Sequence, residues 1–338
     1  MPETEISFEH LKELLLLLCR YPFEDSTRTT LSKLIGEVKD WQKMVELINA
    51  HGIIALAAYN IREAGLEKTI PEDAVTFLNN GGMKSMVRNT WLTERWKEVN
   101  TILTNSGIRH VLLKGMALEH TVYGSRGLRQ MTDIDVLVKK EDSLKAWHLL
   151  QKYGFVSDMI KSRLHRKIIA ETGKHMPTLR KDGYAVEIHY RLFHEAEMND
   201  KLNDAIDNAV EIDIEGLKAF ILNDNIHLDY LREHNQDHLS AEGSQLRLFV
   251  DMEIIKPGSA PVITKEFLSG RHQSYNSKHG KDAYKVHFFT LPSGIRFRYL
   301  VGDIFPSLRW MKQRHNCGTT KAILLYPRRI GKLFWLAG

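Results

Sequence analysis

Two acidic residues spaced one position apart form the strongest chemical pattern in this sequence. Asp133 and Asp135 flank Ile134 and run directly into the apolar residues Val136–Val138. Side chains alternate along a β-strand, so both carboxylates should point to the same face. Like charges at such short range repel each other unless a cation lies between them. The pattern therefore predicts a site for a hard divalent ion, Mg²⁺ or Mn²⁺, which carboxylate oxygens bind well.

A third carboxylate comes from the segment Tyr184–Tyr190, which also has the alternation of a strand. Glu187 and His189 face one side of that strand, and the apolar residues face the other. If this strand lies beside the Asp133–Asp135 strand, Glu187 can join the two aspartates around one or two metal ions. His189 shares the face of Glu187, so it could contact a ligand or simply pack.

Three carboxylates around divalent metal suit phosphoryl or nucleotidyl transfer. Two ions about 3.5–4 Å apart can hold the attacking and leaving oxygens of an in-line displacement. The carboxylate of Glu187 could also take the proton of an acceptor hydroxyl. These residues predict catalysis at a phosphate ester or anhydride.

Candidate phosphate ligands precede the aspartates. Gly115 lies where a strand turns into a helix, so backbone N–H groups could approach a phosphate, with Lys114 adding a positive charge. Arg126 and Arg129 lie in a basic loop, and each guanidinium group could bind two phosphate oxygens at once. Two structural alternatives stay open: Lys114 could be merely exposed at a turn, and Arg129 could pair with Asp133.

Other catalytic and metal patterns are absent from the sequence or weak. There is no P-loop, no dinucleotide fingerprint and no G-x-S-x-G elbow. His234 and His238 have the i, i+4 spacing of some zinc sites, but their polar surroundings favour a solvated helix end. Cys19 and Cys317 are far apart and lack metal-ligand spacing, which predicts a reducing, cytoplasmic setting.

Bulk properties restrict the class of protein. The 338 residues suggest about two domains and carry a net charge of +5, which suits a phosphate-bearing ligand. The lack of an aromatic-rich basic stripe argues against nucleic acid as a partner. No window supplies the roughly 20 apolar residues of a membrane span. The run Leu14–Leu18 follows acidic residues, unlike a signal peptide, and is expected to be the buried part of a helix.

The chain divides into three parts by its periodicity. Residues 1–107 and 196–338 are predicted to form helical regions, and residues 108–195 a mixed α/β core. The expected fold class is α+β, in which an α/β core with a mixed sheet is flanked by N-terminal and C-terminal helices. Within this scheme, residues 168–170 are predicted as a short strand and residues 217–232 as a helix.

Two connections stand out. Lys181-Asp182-Gly183 lies between two strand patterns and predicts a β-hairpin, because Asp-Gly favours the tight turn that joins antiparallel strands. Residues 270–285 are polar and rich in Lys, His, Ser and Asn, and are predicted to form a mobile loop.

Three stretches together resemble a known superfamily. They are LLKGMALE (112–119), YGSRGLRQMTDIDVLV (123–138) and AVEIHYRLF (185–193). The combination is similar to the DNA polymerase β-type nucleotidyltransferases, and more narrowly to a bacterial branch usually described as uncharacterised nucleotidyltransferases. The pattern from Leu246-Arg247 to Asp251 also resembles a later helix of that branch.

The resemblance implies roles for particular residues. Lys114-Gly115 would occupy the place of the superfamily's Gly-Ser element, Asp133 and Asp135 that of its metal pair, and Glu187 that of its third carboxylate. It implies a nucleotidyltransferase core at residues 108–195 and a substrate like MgATP.

The predicted reaction transfers a nucleoside monophosphate from a nucleoside triphosphate, with ATP expected, to a hydroxyl group, and releases pyrophosphate. The acceptor, a small molecule or a protein, and the oligomeric state stay open. Two other functions are weighed against this one: a kinase-like phosphotransferase that uses the same site, and a nucleotide sensor without catalysis.

Overall fold

The computed structural model describes residues 7–241, 245–268, 288–289 and 291–327, without the side chains of residues 238–241 and 266. The described residues up to Asn105 are mainly helical, as predicted, and bury Leu14, Leu15 and Leu18 of the Leu14–Leu18 run in a hydrophobic cluster, whereas Leu16 is 42% exposed. The helices of this region are α1 (Phe8–Leu18), α2 (Arg28–Gly36), α3 (Trp41–Ala50), α4 (Ile54–Glu63) and α5 (Glu72–Asn105).

Helix α5 joins the N-terminal helices to the rest of the molecule. It begins after Pro71, whose fixed φ suits a helix start, and two acidic residues of its first turn favour the positive end of the helix dipole. Its first half contributes Leu78 to the N-terminal cluster, and its second half contributes Leu92 and Trp96 to the core under the sheet. The predicted helical cover therefore packs on the sheet through one long helix.

A mixed sheet of seven strands follows, in the order β3-β4-β5-β2-β1-β7-β6. Strand β2 is antiparallel to β1 and parallel to β5, so the sheet is mixed as predicted. The strands are β1 (His110–Leu112), β2 (Ile134–Val138), β3 (Val156–Ser157), β4 (Leu179–Lys181), β5 (Tyr184–His189), β6 (Val210–Ile214) and β7 (Leu217–Ile221).

The central pair of strands separates an apolar face from a polar one. Ile134 and Val136 of β2, with Val186 and Ile188 of β5, belong to the core that faces α5. The residues between them in sequence point to the opposite face, because strand side chains alternate. The register of β2 and β5 places Asp135 directly beside Glu187. The prediction that these two strands are neighbours is confirmed.

The hairpin between β4 and β5 is also confirmed. Asp182 and Gly183 form its two-residue turn with φ of 46° and 87°. Two positive φ values in succession give the turn a twist that matches the flanking strands, and Asp-Gly tolerates them better than most pairs. The turn fixes the register of β4 and thereby places Thr178, just before β4, next to Glu187.

Strands β6 and β7 correct the predicted organisation. The segment 217–232 was expected to be one helix, but its beginning is β7, and helix α11 (Asp224–Ala241) starts only afterwards. Both strands extend the sheet beyond the predicted core boundary at residue 195. Glu215 and Gly216 supply the turn, with φ of 53° and 82°. The apolar/polar alternation of Val210–Ile214 is the sequence signal for this second hairpin.

Residues 168–170 are also not a strand. They lie in helix α8 (Arg163–Thr172), which begins after Ser162, whose hydroxyl accepts a hydrogen bond from the backbone N–H of His165. That cap satisfies one of the free N–H groups of the first turn. The loop predicted at residues 270–285 lies outside the described residues.

The remaining helices of the described residues follow α5 along the chain, between or after the strands. They are α6 (Lys114–Thr121), α7 (Lys140–Lys152), α9 (Ala196–Asp200), α10 (Leu202–Asp207), α12 (Leu246–Ile255), α13 (Lys265–Leu268), α14 (Ser293–Ile304), α15 (Leu308–Arg314) and α16 (Thr319–Leu324). In the ranges that the structure describes, no helix has both the length and the apolar character needed to cross a membrane.

Candidate active site

The turn from β1 into α6 brings a positive charge to the central carboxylate. Lys114 opens α6 with φ of +48°, a left-handed conformation that is uncommon for a residue with a side chain. Its Nζ lies 3.0 Å from Oδ1 of Asp135. The backbone N–H of Leu113 donates to the carbonyl of Asp135 at 3.1 Å, which holds this turn against β2. The ion pair is largely buried.

Three possible metal ligands converge beside this lysine. The ligand atoms of Asp135, Glu187 and His189 all lie within 4.8 Å of one another. Nε2 of His189 is 2.8 Å from Oδ1 of Asp135 and 3.5 Å from Oε2 of Glu187. The other oxygen of Glu187 accepts a hydrogen bond from Thr178 at 3.0 Å. Two carboxylates and an imidazole in this arrangement fit a divalent cation.

The charges of this cluster stabilise one another. Burial alone would lower the pKa of Lys114, but the carboxylates of Asp135 and Glu187 outweigh it and raise the pKa. Burial alone would raise the pKa of Glu187, but hydrogen bonding to His189 outweighs it and lowers the pKa to about 2. The pKa of Asp135 is likewise lowered by Lys114 and His189 against the effect of burial. Both carboxylates are therefore ionised and ready to bind a cation.

Asp133 lies immediately before β2 and is not one of the three converging ligands. Its Oδ1 accepts a hydrogen bond from the neighbouring Thr132 hydroxyl at 3.1 Å. Burial and the negative charge of Asp135 raise the pKa of Asp133 to about 6. The repulsion predicted from the Asp-x-Asp spacing is therefore present, and a cation at Asp135 would relieve it.

The predicted phosphate ligands differ in their surroundings. Arg126 is exposed in the loop before β2 and makes no ion pair within the described part of the chain. Gly115 lies under the side chain of Met131: a Cβ at this position would come within 3.0 Å of Met131 Cγ. A larger residue at position 115 would therefore require the side chain of Met131 to shift.

Arg129 belongs to a buried network rather than to an open anion site. Its Nη2 lies 2.7 Å from Asp251 Oδ2, and its Nη1 donates to the carbonyl of Gln130 at 2.7 Å. Tyr123 donates to the same carboxylate of Asp251 at 3.2 Å. The ion-pair alternative was correct in kind, but the partner is Asp251 and not Asp133. The geometry gives Arg129 a structural role and does not support its predicted contact with phosphate.

Two further residues complete this network. Glu119 accepts hydrogen bonds from the backbone N–H groups of Gly127 and Arg129, which fixes the loop between α6 and β2. Arg247 of α12 donates to the carbonyl of Gln130 at 2.8 Å. The Leu-Arg-x-x-x-Asp helix therefore positions the loop that leads into the aspartates.

A cavity of about 970 Å³ opens on the polar face of the sheet, beyond Glu187 and His189. Tyr230 of α11 forms part of its wall, although sequence reasoning did not identify this residue because its segment has the pattern of an ordinary amphipathic helix. The other charged or titratable residues that line the cavity are Lys114, Lys140, Glu141, Lys174, His175, Tyr190, Arg191, His194, Asp200, His234 and Asp237.

This combination of a mixed sheet, carboxylates on adjacent strands and a Lys-Gly turn has the parts of a nucleotidyltransferase. The family model described as "Uncharacterised nucleotidyltransferase" matches residues 37–277, which is more than half of the chain. The chain therefore belongs to the uncharacterised nucleotidyltransferase family, as the sequence motifs suggested. Membership supports a transferase that acts on a nucleoside triphosphate. No curated protein matches the chain.

Proposed function

We propose that the protein is a metal-dependent nucleotidyltransferase that transfers a nucleoside monophosphate from a nucleoside triphosphate, with ATP expected, to a hydroxyl of an acceptor. The observation that carries the proposal is the convergence of Asp135, Glu187 and His189 beside Lys114. Asp133 and Asp135, with Glu187, would hold Mg²⁺ or Mn²⁺, and His189 is a further ligand within reach. The bound ion would polarise the α-phosphate and lower the pKa of the acceptor hydroxyl.

The side chains of the chain supply the remaining steps. Lys114 and Arg126 bind phosphate oxygens, and the backbone at Gly115 approaches the phosphates at the start of α6. The acceptor oxygen bonds to the α-phosphorus while the bond from that phosphorus to the α,β-bridging oxygen breaks, so pyrophosphate leaves. Glu187 accepts the proton of the acceptor hydroxyl. The Thr178 hydrogen bond holds the carboxylate of Glu187 in place for this transfer.

The position of the label in ATP tests the proposal. The full-length protein is incubated with Mg²⁺, candidate acceptors and ATP labelled at either the α- or the γ-phosphate; GTP, CTP and UTP follow. We expect α-label on an acceptor and γ-label in pyrophosphate, both lost in Asp135→Asn. Transfer of γ-label with formation of ADP would replace the proposal with a kinase-like phosphotransfer. Nucleotide that is bound tightly but stays unchanged for hours would indicate a sensor.

A further inference from the structure

Tyr230 presents a buried hydroxyl group at the wall of the cavity. Its side chain is 3% exposed and lines the cavity next to Lys114, whose Nζ lies 5.9 Å from the centre of the Tyr230 ring. Within the described residues, the Tyr230 hydroxyl forms no hydrogen bond that meets normal geometry. Leaving such a group unpaired in a protein interior is costly, so a buried orphan at a cavity wall points to a ligand.

The neighbouring lysine cannot accept a hydrogen bond from this hydroxyl. An ammonium group only donates hydrogen bonds, so Lys114 can contact the Tyr230 oxygen but leaves its hydrogen without an acceptor. Asp135 uses one of the three N–H donors of Lys114. Burial raises the pKa of Tyr230, so the hydroxyl keeps its proton and remains a donor. Tyr230 and Lys114 both line the cavity and both offer N–H or O–H donors, so the complementary group is an anion with several acceptor oxygens.

The cavity wall carries further positive charge that an anion could use. Lys140 and Arg191 line the same space, and neither makes an ion pair in the part of the chain that the structure describes. The carboxylate of Asp237 is held by Lys174 at 2.8 Å and by His194 at 2.7 Å. Glu141 and Asp200 are the remaining acidic residues of the wall besides Glu187.

We propose that Tyr230 and Lys114 form a subsite for a phosphate-type anion in the cavity beside the carboxylate cluster. The inference rests on the proposed function in that Lys114 is one of its phosphate ligands. The anion is either the β,γ-diphosphate part of the nucleotide or an acidic group of the acceptor. Tyr230 thus acts as a substrate-binding residue contributed by α11, outside the motifs that carry the family resemblance.

Binding of inorganic pyrophosphate to the full-length protein, measured by calorimetry, tests the subsite without any turnover. We expect Tyr230→Phe to weaken the affinity for pyrophosphate roughly 10- to 100-fold, the usual effect of losing a hydrogen bond to a charged group. Its melting temperature should stay the same or rise, because the variant removes an unsatisfied hydroxyl.

Tyr190→Phe is the matched control. Tyr190 is also buried and lines the same cavity, but its hydroxyl already donates to the carbonyl of Ile169. This variant should lose thermal stability and keep its affinity for pyrophosphate. Undetectable binding of pyrophosphate to the wild type, or equal affinities of Tyr230→Phe and the wild type, would overturn the subsite and leave the label-transfer test of the proposed function intact.

A competition experiment identifies the source of the anion. Pyrophosphate is titrated into protein that has been saturated with α,β-methylene-ATP. If the analogue prevents pyrophosphate from binding, the subsite belongs to the nucleotide. If pyrophosphate binds with unchanged affinity, the subsite belongs to an acidic group of the acceptor. Either result supports the subsite, provided that Tyr230→Phe weakens the binding.

Discussion

The molecule contains two clusters of buried charge: the cluster around Asp135 adjoins the large cavity, and the network around Arg129 does not line it. In the network around Arg129, the guanidinium donates to Asp251 and to a backbone carbonyl, and Tyr123 donates to the same carboxylate. The ion-paired side chains of Arg129 and Asp251 are 6% and 0% exposed. The Arg129–Asp251 ion pair is therefore closed to solvent.

The cluster around Asp135 is the opposite case. Its carboxylates crowd one another, Nδ1 of His189 and the hydroxyl of Tyr230 have no hydrogen-bond partner among the described residues, and a large cavity lies beside them. Buried polar atoms without partners cost stability, and at the wall of a cavity a ligand can supply the missing partners. Arg129 thus fixes the position of the basic loop before β2, and the aspartates that follow the loop are the residues proposed to carry the chemistry.

The largest expected effect comes from the proposed base. Glu187→Gln should lower kcat roughly 10²- to 10⁴-fold, the usual contribution of general base catalysis, because the amide cannot take a proton. The side chain of Glu187 is 20% exposed and Gln can still accept from Thr178, so the melting temperature should change little. Initial rates of pyrophosphate release together with thermal unfolding measure both. Full activity in this variant would remove Glu187 from the reaction.

Substitutions in the network around Arg129 should lower the stability of the fold. Asp251→Ala leaves the Arg129 guanidinium buried without its counter-charge and should destabilise the fold by about 3–5 kcal/mol. Arg129→Met combined with Asp251→Leu should recover a large part of that loss, since an apolar pair needs no counter-charge. Chemical denaturation measures the three proteins. An Asp251→Ala variant as stable as the wild type would contradict the structural role of the network.

Asp133 should show the cost of crowding carboxylates. Its folded pKa of about 6 lies above the ordinary value, so the folded state holds the proton more tightly and loses stability as pH rises through the interval from about 4 to 6. In EDTA at pH 7, Asp133→Asn should therefore be more stable than the wild type by up to about 3 kcal/mol. The difference should disappear near pH 4. If Asp133→Asn is less stable than the wild type at pH 7, the Asp133 carboxylate is not repelled by Asp135 at that pH.

Arg126 should have the smallest effect. Because its side chain is exposed, Arg126→Ala should leave the melting temperature unchanged and raise the KM for the nucleotide only a few-fold, roughly 1 kcal/mol of binding. Arg62→Ala, at an exposed position of α4, is the control for loss of one positive charge. Equal KM values for the two variants would remove Arg126 from nucleotide binding.

Local patterns in the sequence predicted much of the site. The alternation around Asp135 and Glu187 placed both side chains on one face, and the Asp182-Gly183 turn predicted the hairpin that holds β5. The alternation in Val210–Ile214 is a strand signal that the predicted helical region 196–338 did not take into account, and the apolar residues after Gly216 were interpreted as part of the following helix. In the structure, the beginning of this segment pairs with β1 and β6 and is therefore a strand.

Long-range pairing could not be predicted in the same way. Arg129 and Asp251 are 122 positions apart, and their contact depends on how α12 packs against the loop. The Asp133 alternative was closer in sequence but not in space. Likewise, Tyr230 has no motif around it. Its importance follows only from the cavity that the packing of α11 creates beside the sheet.

The central claim is that the cluster of Asp135, Glu187 and His189 holds a divalent cation. Titration of the full-length protein with Mn²⁺, followed by electron paramagnetic resonance of the free ion, tests this claim directly. The wild type should bind Mn²⁺ and release it on competition with Mg²⁺. Asp135→Asn should weaken Mn²⁺ binding at least roughly tenfold. The same Mn²⁺ affinity in both proteins would contradict the claim.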